Sequence, residues 1–331
     1  MLNEQSLLTK SVDSSNSSFF ISNKSIFRKN LDVGNHMCLT ESMFFRILEL
    51  AESSSLLVNS KSTLEIRWPR KGWERNLQIG DVVSVKFNHI VPPASGKKII
   101  SRLVKLQQPT SSINIFDLVP FDWVQDRSLI QRASAILNSI SEAHRLLFNA
   151  IFWNADRFKR FCIQPSSLIG HHSELNGNLR HTVEVAEFMC KLCTERSFAN
   201  LDLGILAALL HDSGKSDEYI ATNHGSWYMS ERGKLLGHKI TALEWISAAT
   251  AKWNIQLPKD HYEGLLHVLT AAPNAPEWLG IRQPALPEAH LLSIADRLSG
   301  SDDLMHKTVN ISGGFGQSHK HLKSPPFLVR G

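Results

Sequence analysis

Leu203-Gly204-Ile205-Leu206-Ala207-Ala208-Leu209-Leu210-His211-Asp212-Ser213-Gly214-Lys215 is the stretch on which the reading of this chain turns. Residues 203–210 are an apolar run rich in helix formers, and the run stops on an adjacent His and Asp, then Gly and Lys. An apolar helix has no packing reason to finish on two metal-type donors. The pair therefore asks for partners, because a divalent ion needs several N and O donors converging from separate rigid elements.

Apolar residues at helical spacing continue on both sides, over 129–141, 143–153, 179–196, 203–211, 237–251, 261–271 and 287–299. Pro287 suits the first position of the last of these helices, and Glu288 suits its positive end. His181 falls near the start of the 179–196 helix. Asp296 sits within Leu291-Leu292-Ser293-Ile294-Ala295-Asp296-Arg297-Leu298, where burying a carboxylate is costly without a cation or a hydrogen-bond partner. His181, His211, Asp212 and Asp296 share one explanation: a single metal held by two imidazoles and two carboxylates. Such mixed N/O ligation suits Mn, Fe, Co or Zn.

Ahead of the polar linker at 107–112 the pattern changes to short strands at 19–21, 36–39, 64–68, 82–87 and 99–104, with turn signals between them and a more helical stretch at 40–51. This predicts a small β-barrel. Arg67-Trp68-Pro69-Arg70-Lys71-Gly72-Trp73 interleaves aromatic and basic residues, and Lys97, Lys98 and Arg102 lie on or beside a later strand. Bases stack on aromatics while cations follow phosphates in single-strand binding. A basic hairpin whose tryptophans pack on the neighbouring domain reads the same segment equally well. Residues 1–17 and 309–331 read as a flexible N-terminus and a flexible tail.

The chain has 331 residues, enough for two domains, and 42% hydrophobic residues, enough for a sizeable core. A net charge of +5 is a mild bias toward polyanions, well short of a dedicated nucleic-acid arm. Four cysteines make no disulfide framework at this length, and Cys190 and Cys193 fall inside a continuous helix, which gives them a structural role. No signal pattern and no apolar run of membrane length is present, so the expectation is a cytoplasmic protein with no membrane partner.

The order His181, His211-Asp212, Asp296 resembles the HD-domain superfamily of metal-dependent phosphohydrolases, and within it the YhaM-type 3′→5′ exoribonucleases, which join an OB-fold domain to an HD domain. The resemblance is carried by His171-His172, by Gly177-Asn178-Leu179-Arg180-His181-Thr182-Val183-Glu184-Val185-Ala186, and by Ala208-Leu209-Leu210-His211-Asp212-Ser213-Gly214-Lys215. It continues through Glu231-Arg232-Gly233-Lys234-Leu235-Leu236-Gly237-His238, Glu277-Trp278, Pro287-Glu288-Ala289 and Ile294-Ala295-Asp296. It implies an α+β two-domain chain: an OB-like β-barrel at 18–107 for nucleic acid, then an all-α HD domain at 113–308. Where the family carries a His pair, this chain has Ala272-Pro273, whose side chains cannot ligate. With that pair missing, the expectation is one metal per chain, or a damaged second site.

A metal at this site lowers the pKa of its water and offsets charge developing on phosphorus. Lys215 is then a candidate to neutralise a bound phosphate, its bland alternative being a solvated helix-end lysine. His238 is the candidate for supporting the site or contacting substrate. His172 shares its segment with His171 and is ambiguous for that reason; His267 is weighed lower, and His319 and His321 read as exposed. The leading expectation is a 3′→5′ exonuclease acting on single-stranded RNA, with DNA as a further substrate. The alternatives are an HD phosphohydrolase of nucleotides or small phosphoesters, and a catalytically impaired or relaxase-like HD protein that binds nucleic acid. An oligomer is compatible with each.

Overall fold

The structure is a computed structural model and describes residues 43–52, 54–67, 76–87 and 98–330. The strands expected at 19–21 and 36–39 lie outside the described residues, as do Trp68, Arg70, Lys71, Trp73 and Lys97.

The N-terminal part carries β1 (Met43–Leu50), β2 (Ser54–Val58), β3 (Thr63–Arg67), β4 (Val82–Phe87) and β5 (Lys98–Lys105). β1 is antiparallel to both β2 and β4, β2 to β3, and β4 to β5, while β3 and β5 run parallel. The paired order is β1-β2-β3-β5-β4, with β4 returning to β1. β3 shows the cause of strand formation most plainly: Leu64 and Ile66 are buried while Thr63, Glu65 and Arg67 are exposed, the period-2 alternation of a half-buried strand. The inward residues Phe45, Ile47, Leu57, Leu64, Ile66, Val83, Val85 and Leu103 form one apolar cluster.

The helical expectation for 40–51 is overturned by β1. Phe45 and Ile47 enter the core between the strands, while Phe44 packs with Val82, Ile113 and Leu118 on the side of the helices. Both faces are apolar, so the alternation that marks a strand is absent from the sequence. Arg46, 1% exposed, shares the face of Phe44 and ties the sheet to the helices: Nε donates to Leu118 O at 3.3 Å and Nη1 to Gly80 O at 2.8 Å. Its guanidinium lies 5.5 Å from the Trp123 ring and 5.6 Å from that of Phe158.

The remainder is mainly helical: α1 (Arg127–Ser139), α2 (Glu142–Ile151), α3 (Ala155–Ile163), α4 (Gly177–Thr194), α5 (Leu201–Leu210), α6 (Lys215–Glu218), α7 (Glu231–Leu235), α8 (Gly237–Trp253), α9 (Lys259–Thr270) and α10 (Pro287–Thr308). A small hairpin, β6 (Tyr219–Ala221) with β7 (Trp227–Met229), interrupts them, and β8 (Gly314–Phe315) pairs with β9 (Phe327–Leu328) after α10. None of the described helices is long and apolar enough to cross a membrane.

α5 is the central helix. Every residue from Leu203 to Leu210 is buried, which is why the segment is apolar all round rather than amphipathic. Asn200 caps it, accepting from Leu203 N at 2.9 Å. Against α4 the backbone approach is so close that a Cβ on Gly204 would stand 2.8 Å from Cys193 Sγ. Cys193 is thus a packing residue, and Cys162, Cys190 and Cys193 are all free thiols.

Candidate metal centre

Three helices aim at one point. His181 lies in the first turns of α4, His211 and Asp212 follow α5 directly, and Asp296 is in the middle of α10. His181 Nε2 is 3.2 Å from His211 Nε2, 3.4 Å from Asp212 Oδ2 and 3.1 Å from Asp296 Oδ1. His211 Nε2 is 3.5 Å from Asp212 Oδ2 and 3.9 Å from Asp296 Oδ1. His181 is fully buried and the Asp212 side chain is 7% exposed, whereas that of Asp296 is 46% exposed and marks the open side.

The tautomers follow from the partners. His211 Nδ1 lies 2.7 Å from Ala208 O, a group that only accepts, so Nδ1 carries the proton and Nε2 a lone pair. Ser299 Oγ donates to Glu184 Oε2 at 2.7 Å, which leaves it an acceptor for His181 Nδ1 at 3.0 Å. His181 Nε2 is then also a lone pair. Two imidazole lone pairs and two carboxylate oxygens converge with no donor among the four; Lys215 Nζ reaches Asp212 Oδ2, and the other three are left for a proton or a further cation to relieve. Donors ~2.1 Å from a metal lie roughly 3.0–3.4 Å apart in octahedral or tetrahedral arrangements. The shorter separations here match that spacing: ligand atoms of His181, His211 and Asp212 lie within 4.8 Å of one another and fit a divalent ion, and Asp296 Oδ1 meets both imidazoles from the open side.

Charge follows the same geometry. Burial opposes charge on His181, but the hydrogen bonds to Asp212 and Asp296 outweigh it and raise its pKa. Burial holds His211 below its ordinary value, with His181 adding to the effect. Asp212 resists its own burial: Lys215, His211 and His181 keep its pKa well below the carboxylate range.

Lys215, at the start of α6, is 9% exposed rather than solvated; Nζ donates to Asp212 Oδ2 at 2.5 Å and to Ser166 Oγ at 3.1 Å. His238, at the start of α8, places Nε2 3.4 Å from Asp212 Oδ1 and Nδ1 3.2 Å from Glu218 Oε1. A Cβ on Gly214 would stand 2.0 Å from His238 O, so a glycine there is what lets the loop after Asp212 lie against α8. The structure thus brings Lys215 and His238 to the His-Asp group. His171 borders it, its ring 5.0 Å from that of His181, and burial with His181 and Lys215 pushes its pKa down to about 4. His267 lies elsewhere and accepts from Ala285 N at 2.9 Å, bracing the loop that contains Ala272 and Pro273. His321 is exposed and His319 partly so. Arg67 is exposed at the end of β3, and the parallel register sets Ile66 against Lys98.

Ser299, Glu184 and Glu218 are absent from the sequence-based candidates. Two carried a signal: Glu184 follows His181 by three residues on α4, and Ser299 follows Asp296 by three on α10, a spacing that shares a helix face.

Residues 178–301 match the family model of the HD domain, a span that includes all four converging donors, Lys215 and His238. The chain is 25% identical over 151 residues to the 3′-5′ exoribonuclease YhaM of Bacillus licheniformis, covering 46% of this chain and 47% of that protein. The chain therefore spans about half the length of this curated relative. No solved structure matches it. The family resemblance read from the sequence is borne out.

Proposed function

We propose that this chain, whose residues 178–301 are an HD domain, is a metal-dependent phosphodiester hydrolase acting from the 3′ end of single-stranded RNA. The observation that carries the hydrolase reading is the convergence of His181 Nε2, His211 Nε2, Asp212 Oδ2 and Asp296 Oδ1 with no donor among them. A divalent ion held there supplies an acidified water and a counter-charge for a phosphoryl oxygen. His181, His211, Asp212 and Asp296 would hold it. Lys215 Nζ, already against Asp212, is the group to meet the negative charge of a phosphate. His238, braced by Glu218, is placed to hold or pass a proton at Nε2.

The RNA substrate and the polarity rest on the likeness to the exoribonuclease YhaM. A single-stranded substrate is further supported by the strand order β1-β2-β3-β5-β4 over Met43–Lys105, which we read as part of an OB-like barrel domain, expected at 18–107, ahead of a metal domain at 113–308. Arg67, Trp68, Arg70, Lys71, Trp73, Lys97 and Lys98 are the proposed single-strand contacts of that barrel.

A second reading is a protein that binds nucleic acid without turnover. It is favoured by Lys215 standing 2.5 Å from Asp212 Oδ2, where its ammonium shares a ligand oxygen, and by the non-ligating Ala272 and Pro273. The full chain is incubated with Mn²⁺ and a 5′-labelled single-stranded RNA. A ladder shortening from the 3′ end in wild type, absent in Asp212→Ala, is the expected result. Retention of RNA without cleavage by both proteins supports the second reading. Cleavage confined to a small chromogenic phosphodiester makes the enzyme a hydrolase of small substrates.

A further inference from the structure

Behind His181, on the far side of Ser299, lies another group of metal-type donors. His172 is 2% exposed. Its Nε2 stands 3.2 Å from Glu184 Oε2 and 3.2 Å from Ser299 Oγ. Glu184 accepts only, and the Ser299 proton is committed to Glu184, so His172 Nε2 carries the proton and Nδ1 is left as a lone pair. Nδ1 is buried with no hydrogen-bond partner. It points between two carboxylates, 3.7 Å from Glu174 Oε1 and 3.7 Å from Asp303 Oδ1.

We propose that His172, Glu174 and Asp303 form a second divalent-cation site, separate from the His181 centre. One imidazole nitrogen with two carboxylates is the donor set of a transition ion such as Mn²⁺ or Zn²⁺. With donors ~2.1 Å from the ion, a 3.7 Å separation subtends roughly 120°, an ordinary ligand angle. The outer oxygens are already used: Lys307 Nζ bonds Asp303 Oδ2 at 2.7 Å and Glu174 Oε2 at 3.3 Å, and His172 N donates to Asp303 Oδ2 at 2.8 Å. The inner oxygens, Oδ1 and Oε1, are those that flank Nδ1. Lys307 therefore both steadies the carboxylates and competes with the ion for their charge.

The loop is built to hold the ring there. His172 has φ 45°, a conformation rare for histidine, and is fixed in it at both ends: its N–H on Asp303, and its carbonyl accepting from Ser166 N at 2.9 Å. Ser299 Oγ joins this group to the first, touching His172, Glu184 and His181, and the His172 and His181 rings lie 5.4 Å apart.

Mn²⁺ binding to the full chain is measured by calorimetry and electron paramagnetic resonance, so no readout depends on phosphodiester cleavage. In Asp296→Ala, which impairs the first centre, one Mn²⁺ remains bound. Adding Glu174→Gln weakens that ion at least about tenfold. Adding Lys307→Met instead tightens it by up to about fivefold, because a competing, partly exposed cation is gone. The two variants move affinity in opposite directions, so a folding defect cannot produce both results. No ion in Asp296→Ala, or an ion indifferent to both Glu174→Gln and Lys307→Met, overturns the site. So does a His172 protonated at both nitrogens by NMR in saturating Zn²⁺, which is diamagnetic.

Discussion

Replacing Ser299 by Ala removes one oxygen that serves three side chains. Ser299 Oγ accepts from His181 Nδ1 at 3.0 Å, donates to Glu184 Oε2 at 2.7 Å, and lies 3.2 Å from His172 Nε2. Its loss leaves the N–H of a fully buried His181 without an acceptor and frees the ring to turn or to change tautomer. Orienting partners of this kind are worth about 10–100-fold in metal affinity, equivalent to ~1.4–2.7 kcal/mol. An unsatisfied buried donor costs about 1–3 kcal/mol of folding free energy, so apo stability falls by a comparable amount. The assay is paired: Zn²⁺ titration by calorimetry at pH 7.5, and urea unfolding of the apoprotein. Ser299→Ala is expected to bind at least tenfold more weakly, and Ser299→Thr, which keeps the hydroxyl, to recover part of that loss. Affinity within twofold of wild type for Ser299→Ala, in a preparation where Asp296→Ala binds no ion at the first centre, refutes the orienting role.

Gly204→Ala sets a Cβ 2.8 Å from Cys193 Sγ and is expected to lower unfolding free energy by about 1–3 kcal/mol in urea melts, with Cys193→Ala recovering part of it. His144, buried beside Ser141 and 2.9 Å from His261 Nδ1, has its pKa lowered chiefly by burial, Asp202 opposing and His261 adding. The unfolded chain then takes up a proton near pH 6.5 that the folded chain resists, so this contribution to stability is present above 6.5 and lost as pH falls below it. The unfolding midpoint of wild type is expected to drop more steeply between pH 7.5 and 5.5 than that of His144→Gln. Because His181 is protonated more readily than an ordinary histidine, and a metal must displace that proton, Zn²⁺ affinity is expected to weaken as pH falls from 8 to 6. Chelation with EDTA is expected to lower the melting temperature of wild type by more than that of Asp212→Ala, which keeps only the second site.

How far the sequence carried differs between elements for identifiable reasons. Three of the donors were legible because they are chemically out of place, a His-Asp pair closing an apolar run and an Asp among Leu, Ile and Ala, whereas His181 gains its meaning only beside them. Ser299 and Glu184 carry only a helix-face spacing from Asp296 and His181, and the meeting of α4 with α10 gives them work. β1 was misread because it is covered on both faces. α3, α6 and α7 are short, of nine, four and five residues, so hydrophobic periodicity over them is weak or absent, and the β6-β7 hairpin is three residues a side. The solvated reading of Lys215 failed because the carboxylate that buries it lies in the turn before it.

α10 runs unbroken from Pro287 to Thr308 and carries Asp296, Ser299 and Asp303 at intervals of three and four residues. At ~1.5 Å per residue, the carboxylate of the first centre and that of the second are about 10 Å apart along one rigid rod. The helix is in effect a ruler with three graduations. Its two outer marks cannot be adjusted independently: a one-residue deletion at 300 or 301 would rotate Asp303 by ~100° around the axis while leaving Asp296 in place. Insertions in the loops around α10 can be absorbed. A change of length between 296 and 303 cannot.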